Sequence, residues 1–330
     1  MVKRSLNKEI SPADFEFLVS KATKAPSGHN TQPWRFRRDG LVVEIHPDFD
    51  RRLPVVDPDD RELFVSLGCA AENLCLAAQT IGYESSVAVG DTGDIAVALT
   101  EGVDVKSSPL FEQIDLRQTN RSIYTGEEIA LDALKRLQAI RSEDGVSVHY
   151  YARQTKQFND IEQYVLQGNT CQMQNEAFKA ELKSWMRFNK KHQDQTLDGL
   201  SYAVFGAPNL PRWMAKLIMS MAINAKTQNK ADREKIASAS HLVLFTTREN
   251  SRREWVDLGR TLQRFLLTAT ELGISHAYLN QPNEQPEIAA EMAKTLDLDG
   301  EYPTVLLRVG YGEQQAYSKR RPIGDVIAAD

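Results

Sequence analysis

Apolar residues recur at helical spacing from the start of the chain, where Phe15, Leu18, Val19 and Ala22 form one stripe behind a Ser11-Pro12 opening. A capping hydroxyl followed by proline at the first helical position predicts a helix that ends near Ala22. Small polar residues then break the pattern, and 41–45 (Leu-Val-Val-Glu-Ile) reads as a short strand. The cluster Asp57-Pro58-Asp59-Asp60 caps a second helix that runs to about Ile81 and stops at Gly82. Further strands are expected at 146–151, 241–245 and 304–309, and a helix beginning near Leu131; most of 156–191 has the amphipathic spacing of long helices.

One pattern occurs twice. Phe64-Val65-Ser66-Leu67-Gly68 with Leu76, Ala78 and Gly82 matches Trp255-Val256-Asp257-Leu258-Gly259 with Leu267, Ala269 and Gly273, at a constant offset of 191 residues (68 to 259, 82 to 273). Each copy leads through Gly82 or Gly273 into a strand, which points to duplication, although two buried helices also resemble one another by chance. Duplication divides the chain into residues 1–108 and 109–330, with the boundary near the Lys106-Ser107-Ser108-Pro109 stretch. The second part carries extra material, including an apolar segment at 202–214 punctuated by Gly206, Pro208 and Pro211. That segment, within about 200–226, is either a lid over a flat ligand or plain core.

Length and composition narrow the partners. A chain of 330 residues has room for about two units of ~150 residues. Its 42% hydrophobic and 26% charged residues are ordinary for a globular protein, and no apolar run approaches the ~20 residues of a membrane span. A formal charge of -5 argues against nucleic acid, which calls for a concentrated basic surface. Three dispersed cysteines build neither a disulfide framework nor a metal site, and the basic start of the chain lacks the apolar run of an export signal, so the expectation is a cytoplasmic protein.

Candidate chemistry concentrates in the loop 25–36 (Ala-Pro-Ser-Gly-His-Asn-Thr-Gln-Pro-Trp-Arg-Phe). Gly28 permits close backbone approach, while Ser27, Asn30 and Gln32 offer short polar arms, as a ligand-gripping loop requires. The same residues also mark an ordinary helix-to-strand turn. Arg117-Gln118-Thr119-Asn120-Arg121 places two arginines around a hydroxyl, a set suited to a small phosphate, and Ser318-Lys319-Arg320-Arg321-Pro322 is a second basic cluster. Two distant clusters can share one dianion. Gly310-x-Gly312 lacks the third glycine and helix of a dinucleotide motif, the six histidines show no metal spacing, and Ser27, His29 and Asp57 lack a nucleophile elbow.

With these residues in view, Ala25-Pro26-Ser27-x-x-Asn30-x-Gln32-Pro33-Trp34 resembles the signature loop of the nitroreductase superfamily of FMN-dependent proteins. Arg117-x-Thr119-x-Arg121 is similar to that family's phosphate element, Arg320-x-Pro322 to its C-terminal phosphate motif, and Leu272-Gly273 through Asn280-Gln281 to the segment facing flavin N5. In ordinary members the phosphate arginines come before the Ser/Asn loop; here they follow it. This order resembles the Acg-like branch, in which two nitroreductase-like halves are fused and one flavin site survives. The resemblance implies an α+β fold, a nitroreductase-like sheet flanked by helices and duplicated as an intramolecular pseudo-dimer, with one FMN per chain. It assigns Arg117, Thr119, Arg121, Ser318 and Arg320 to the phosphate and ribityl chain, Ser27, Gly28, Asn30 and Gln32 to the flavin, and Asn280 and Gln281 to N5 through backbone donors. Ser318 stands where many relatives have lysine. The first half has the loop without the arginines and the second the arginines without the loop, which supports a single shared site.

The resemblance implies hydride transfer from NAD(P)H through flavin N5 to a nitro, quinone or similar small-molecule acceptor. No residue stands out as acid or base, no metal is implied, and Arg35 is a candidate cation for N1 or simply a surface arginine. The alternative is a flavin-sequestering protein with little turnover, favoured if 202–214 covers the isalloxazine. A monomer with an intramolecular pseudo-dimer is expected, with a homodimer also compatible.

Overall fold

The computed structural model describes residues 9–328, with side chains for all of them except 219–222. Helix α1 (Pro12–Ala22) begins as its sequence requires: the Ser11 hydroxyl accepts from the Asp14 amide at 3.0 Å and Phe15, Leu18, Val19 and Ala22 are buried. Strands β1 (Trp34–Asp39) and β2 (Val42–Pro47) pair antiparallel, and helix α2 (Arg61–Thr80) follows. The Asp57 carboxylate accepts from the Leu63 amide at 3.0 Å, satisfying an orphan donor of the first turn. Gly82, at φ +87°, ends this helix and leads into β3 (Tyr83–Val89), which pairs with β4 (Ile95–Glu101). The first sheet has the order β1-β2-β4-β3, all antiparallel.

After α3 (Leu131–Gln138) and β5 (Val146–Ala152) comes a helical insertion. It comprises α4 (Lys156–Gln174), α5 (Glu176–Trp185), β6 (Met186–Arg187), α6 (Lys190–Thr196), β7 (Leu200–Ser201), α7 (Arg212–Ala222) and α8 (Ala225–Ala237). The chain then adds β8 (His241–Thr247), α9 (Arg252–Glu271), β9 (Ser275–Tyr278), α10 (Pro286–Thr295) and β10 (Tyr302–Gly310). The second sheet runs β5-β8-β10-β9, again antiparallel. Each sheet therefore has a long helix between the strands in its second and last places, and the fold class is α+β.

The two long helices cross at the centre of the molecule, and the positions that repeat in sequence are those that meet. Phe64 stacks on Trp255 with centroids 6.3 Å apart, and the Gly68 and Gly259 backbones touch. A methyl on Gly68 would overlap the Val256 carbonyl oxygen, and a methyl on Gly259 that of Val65. Cys69 Sγ donates to the Gly259 carbonyl at 3.1 Å and Gln263 Nε2 to Asn73 Oδ1 at 2.7 Å, so these two donors in the tight crossing are satisfied. One apolar cluster extends from α1 and the first sheet through both helices into the second sheet. Burial of each large side chain there contributes about 1.5–3 kcal/mol before entropy is counted. Helix α2 has the length and a mean hydropathy (1.2) near a membrane span, closer to that limit than the residue pattern suggests, but 89% of its apolar window is buried within the fold.

Two segments cross between the sheets. Near the C-terminus, the Phe36 amide donates to Val326 and the Ala328 amide to Phe36, both at 2.8 Å, so the tail lines the β1 edge. The stretch after β4 reaches the other way, where Thr119 bridges His276 and the Asn120 amide donates to His276 at 2.9 Å on the β9 edge. These crossings carry both arginine clusters to the loop 25–36.

Candidate active site

A cavity of about 850 Å³ opens where the crossing segments meet. Its wall contains ten of the eleven candidate residues: Ser27, Gly28, Asn30, Arg117, Thr119, Arg121, Asn280, Gln281, Ser318 and Arg320. Residues on both sides of the 108/109 boundary line it. Gln32 does not. It is fully buried behind the loop, donating to the Leu197 carbonyl at 3.0 Å and accepting from the Arg321 amide at 2.8 Å. Its contacts are those of a clasp joining loop, insertion and C-terminal tail, whereas the resemblance implies a flavin contact.

The loop holds three non-glycine departures within four residues, with His29, Asn30 and Gln32 at φ +46°, +56° and +56°. Such conformations persist where surrounding bonds over-determine them. Ser27 Oγ accepts from the Gln32 amide at 3.0 Å, and Asn30 Nδ2 donates to the carbonyls of Lys319 (3.2 Å) and Gly199 (3.3 Å). Arg320 completes the set, donating from Nε to Thr23 (2.7 Å), from Nη2 to Lys24 (3.2 Å) and Ala25 (3.1 Å), and from Nη1 to Asn30 Oδ1 (3.0 Å). Its donors are spent on the protein, so Arg320 brings charge and loop order to the cavity.

Arg117 is different. Nη2 donates to the Lys24 carbonyl at 2.9 Å, while Nε and Nη1 are buried with no hydrogen-bond partner among the described residues. The Arg121 guanidinium lies 5.4 Å from the Phe205 ring centroid, and among the described residues no carboxylate pairs with Arg117, Arg121 or Arg320. Burial pushes all three below the usual arginine range, Arg121 to about 10 and Arg320, which also feels Arg117, to about 9. Three guanidiniums without carboxylate partners, with unpartnered donors among them, are a set suited to an anion. Thr119 and Ser318 line the same wall.

Asn280 and Gln281 use their side chains inward: Asn280 Nδ2 donates to Glu62 Oε1 at 2.8 Å and its Oδ1 accepts from the Leu306 amide at 2.9 Å, while Gln281 Nε2 donates to Asp232 at 3.2 Å. Beside them the wall holds Glu62, Glu284 and Gln172, which residue patterns did not bring forward. Glu62 reads from sequence as an ordinary acidic first-turn residue, and Glu284 as a polar loop residue, so neither carries a local signal. Glu284 is hydrogen-bonded to both Glu62 and Gln172, and burial together with the Glu62 charge raises it well above the carboxylate range. His29 also lines the cavity, with burial and then the Arg121 charge lowering it to about 4. Arg35 lies outside the cavity wall and sits 3.2 Å from Asp48; the Asp57 carboxylate caps α2, and His29 Nδ1 has no hydrogen-bond partner among the described residues, so no triad forms. The segment 200–226 contributes Leu200, Phe205 and Ile223 to the wall, while Trp213 and Leu217 of α7 remain exposed.

The Nitroreductase family model matches residues 116–311, more than half of the chain. A Mycobacterium tuberculosis (strain H37Rv) protein carrying the provisional name NAD(P)H nitroreductase Rv3131 is 26% identical over 336 aligned positions, covering 94% of this chain and 90% of that protein. The acg protein of the same organism, likewise provisionally named an NAD(P)H nitroreductase, is 33% identical over 69 residues, 21% of each chain. Among solved structures, the FMN-dependent nitroreductase NfnB from Mycobacterium smegmatis in complex with NADPH is 12% identical, with a TM-score of 0.42 over 66% of this chain and 96% of that one.

Proposed function

The chain belongs to the nitroreductase family, and from that premise we propose that it is an FMN-dependent oxidoreductase taking reducing equivalents from NAD(P)H. The observation that carries this reading is the pair of buried, unpartnered Arg117 donors in the wall that also holds Arg121 and Arg320. A phosphate monoester supplies the missing acceptors and counter-charge, and a cavity of about 850 Å³ is within the range of cofactor pockets. Arg117, Arg121 and the Thr119 hydroxyl would hold the phosphate, and Ser318 would lie near it. Arg320, through Asn30 and the 23–25 carbonyls, would fix the loop in which Ser27, Gly28 and Asn30 meet the ring system. Asn280 and Gln281 would approach its other side with their backbone, since their side chains are engaged elsewhere.

When bound, FMN supplies a hydride relay between NAD(P)H and a nitro, quinone or related acceptor; the chain supplies orientation, charge and exclusion of water. A second reading, flavin storage with little turnover, draws support from Leu200, Phe205 and Ile223 in the wall, because a covered ring leaves no room for nicotinamide. Titration of the apoprotein tests the assignment. Arg121→Ala is expected to weaken FMN about 10- to 100-fold with little effect on riboflavin, whereas Arg320→Ala weakens both because the loop is unhooked. Equal loss of both ligands in Arg121→Ala would remove that residue from the phosphate. Steady-state NAD(P)H oxidation with menadione, beside FMN release, separates the readings: brisk turnover excludes storage as the main role.

A further inference from the structure

The carboxyl pair in the cavity wall has no part in binding a phosphate and is costly to bury without a purpose. Glu62 stands in the first turn of α2 and Glu284 in the turn before α10, whose amide donates to the Asn280 carbonyl at 3.0 Å. Their carboxyls are hydrogen-bonded to each other, an arrangement that needs a proton on one of them. Asn280 holds Glu62 from one side and Gln172 holds Glu284 from another. A side-chain carbon at Gly28 would lie 3.1 Å from Glu62 Oε2, so the pair abuts the ligand loop.

Burial and the Glu62 charge keep that proton in place against the opposing pull of Arg61 and of the Gln172 hydrogen bond. From the turn before α2 comes Asp57, itself raised to about 7 by burial and by Glu62; from α2, Arg61; from β9, Tyr278; and from α4 the neutral Asn169 and Gln172. Among the described residues no cation forms an ion pair with Glu62 or Glu284. The guanidiniums and the carboxyls thus occupy one cavity without neutralising each other.

We propose that Glu62 and Glu284 are a shared-proton pair that delivers the proton needed when a quinone-class acceptor is reduced in this cavity. The inference rests on the flavin reading above. With FMN bound, NAD(P)H would supply the quinone with a hydride, that is, two electrons and one proton. The quinone then needs one further proton to become the hydroquinone, and the pair gives it to the developing oxyanion and is refilled from water. NAD(P)+ and hydroquinone leave, so atoms and charge balance. The side of the cavity that carries Asn280 thereby has the acid absent from the sequence motifs.

Two readouts on the FMN-loaded protein test this. The infrared spectrum at pH 7, taken in an Asp57→Asn background because Asp57 is itself raised to about 7, is expected to show the C=O stretch of a buried carboxylic acid, lost on adding Glu284→Gln or Glu62→Gln. In stopped flow, reoxidation by menadione is compared with reoxidation by ferricyanide, which takes electrons without a proton. The menadione-to-ferricyanide rate ratio is expected to fall about 100-fold in Glu284→Gln and to recover in part in Glu284→Asp. An unchanged ratio, or a carboxylic band that survives in both variants, overturns the proposal. Should Glu284→Gln fail to fold, Glu62→Gln carries the same two expectations. A wild-type protein that takes up no FMN would defeat the flavin reading, whereas a yellow protein with an unchanged ratio defeats this inference alone.

Discussion

His29 shows how much the cavity shapes a single residue. It sits at φ +46° in the ligand loop, and burial with the nearby Arg121 charge lowers it to about 4. An unfolded chain binds a proton at this position below about 6.5 while the folded chain stays neutral until about 4, so folding stability attributable to His29 is lost as pH falls through that window. His29→Asn keeps a residue tolerant of positive φ and removes the titration. The variant is expected to gain about 2 kcal/mol relative to wild type on going from pH 7.5 to pH 5, measured by urea unfolding at both pH values. A difference that does not change with pH would mean that His29 titrates normally. At this scale, Ser27, Asn30 and the arginines were legible because small polar residues around glycine and proline, and spaced guanidiniums, have few other uses. Gln32 looked the same, yet its side chain turns inward; local sequence does not encode that direction. The Glu62–Glu284 pair was hidden because its meaning arises from two remote turns brought together.

Between elements, the α2–α9 crossing decides whether the molecule closes. Gly68 and Gly259 allow backbone contact, and no rotamer relieves a clash with a carbonyl oxygen on the facing helix. Gly68→Ala and Gly259→Ala are each expected to lose about 3 kcal/mol or more, seen as a lower thermal midpoint. Gly82→Ala, where open space surrounds the position, would cost through its positive φ instead. Near-native midpoints for the crossing variants would mean that the helices stand further apart. The repeat was readable because its apolar positions and glycines are fixed by that contact. The two-residue strands β6 and β7 and the breaks around α6 and α7 were not readable as separate elements, since pieces so short carry no period. The amphipathic spacing of 156–191 did foretell helices α4 and α5.

For the whole molecule, two four-stranded antiparallel sheets share one strand order and helix placement, and we propose that they belong to the two halves, 1–108 and 109–330, of a duplicated chain. The C-terminal tail on β1 and the 119–120 stretch on β9 tie them together and bring loop and arginines to one cavity. This exchange explains why neither half holds a complete set of candidate residues, and it leads us to propose a single flavin site per chain. The most direct measurement is a calorimetric titration of the apoprotein with FMN and, separately, with riboflavin. Saturation at one FMN per chain, with FMN bound about 100-fold more tightly than riboflavin, is the predicted result. Two FMN per chain, equal affinity for the two ligands, or no uptake of either would contradict it.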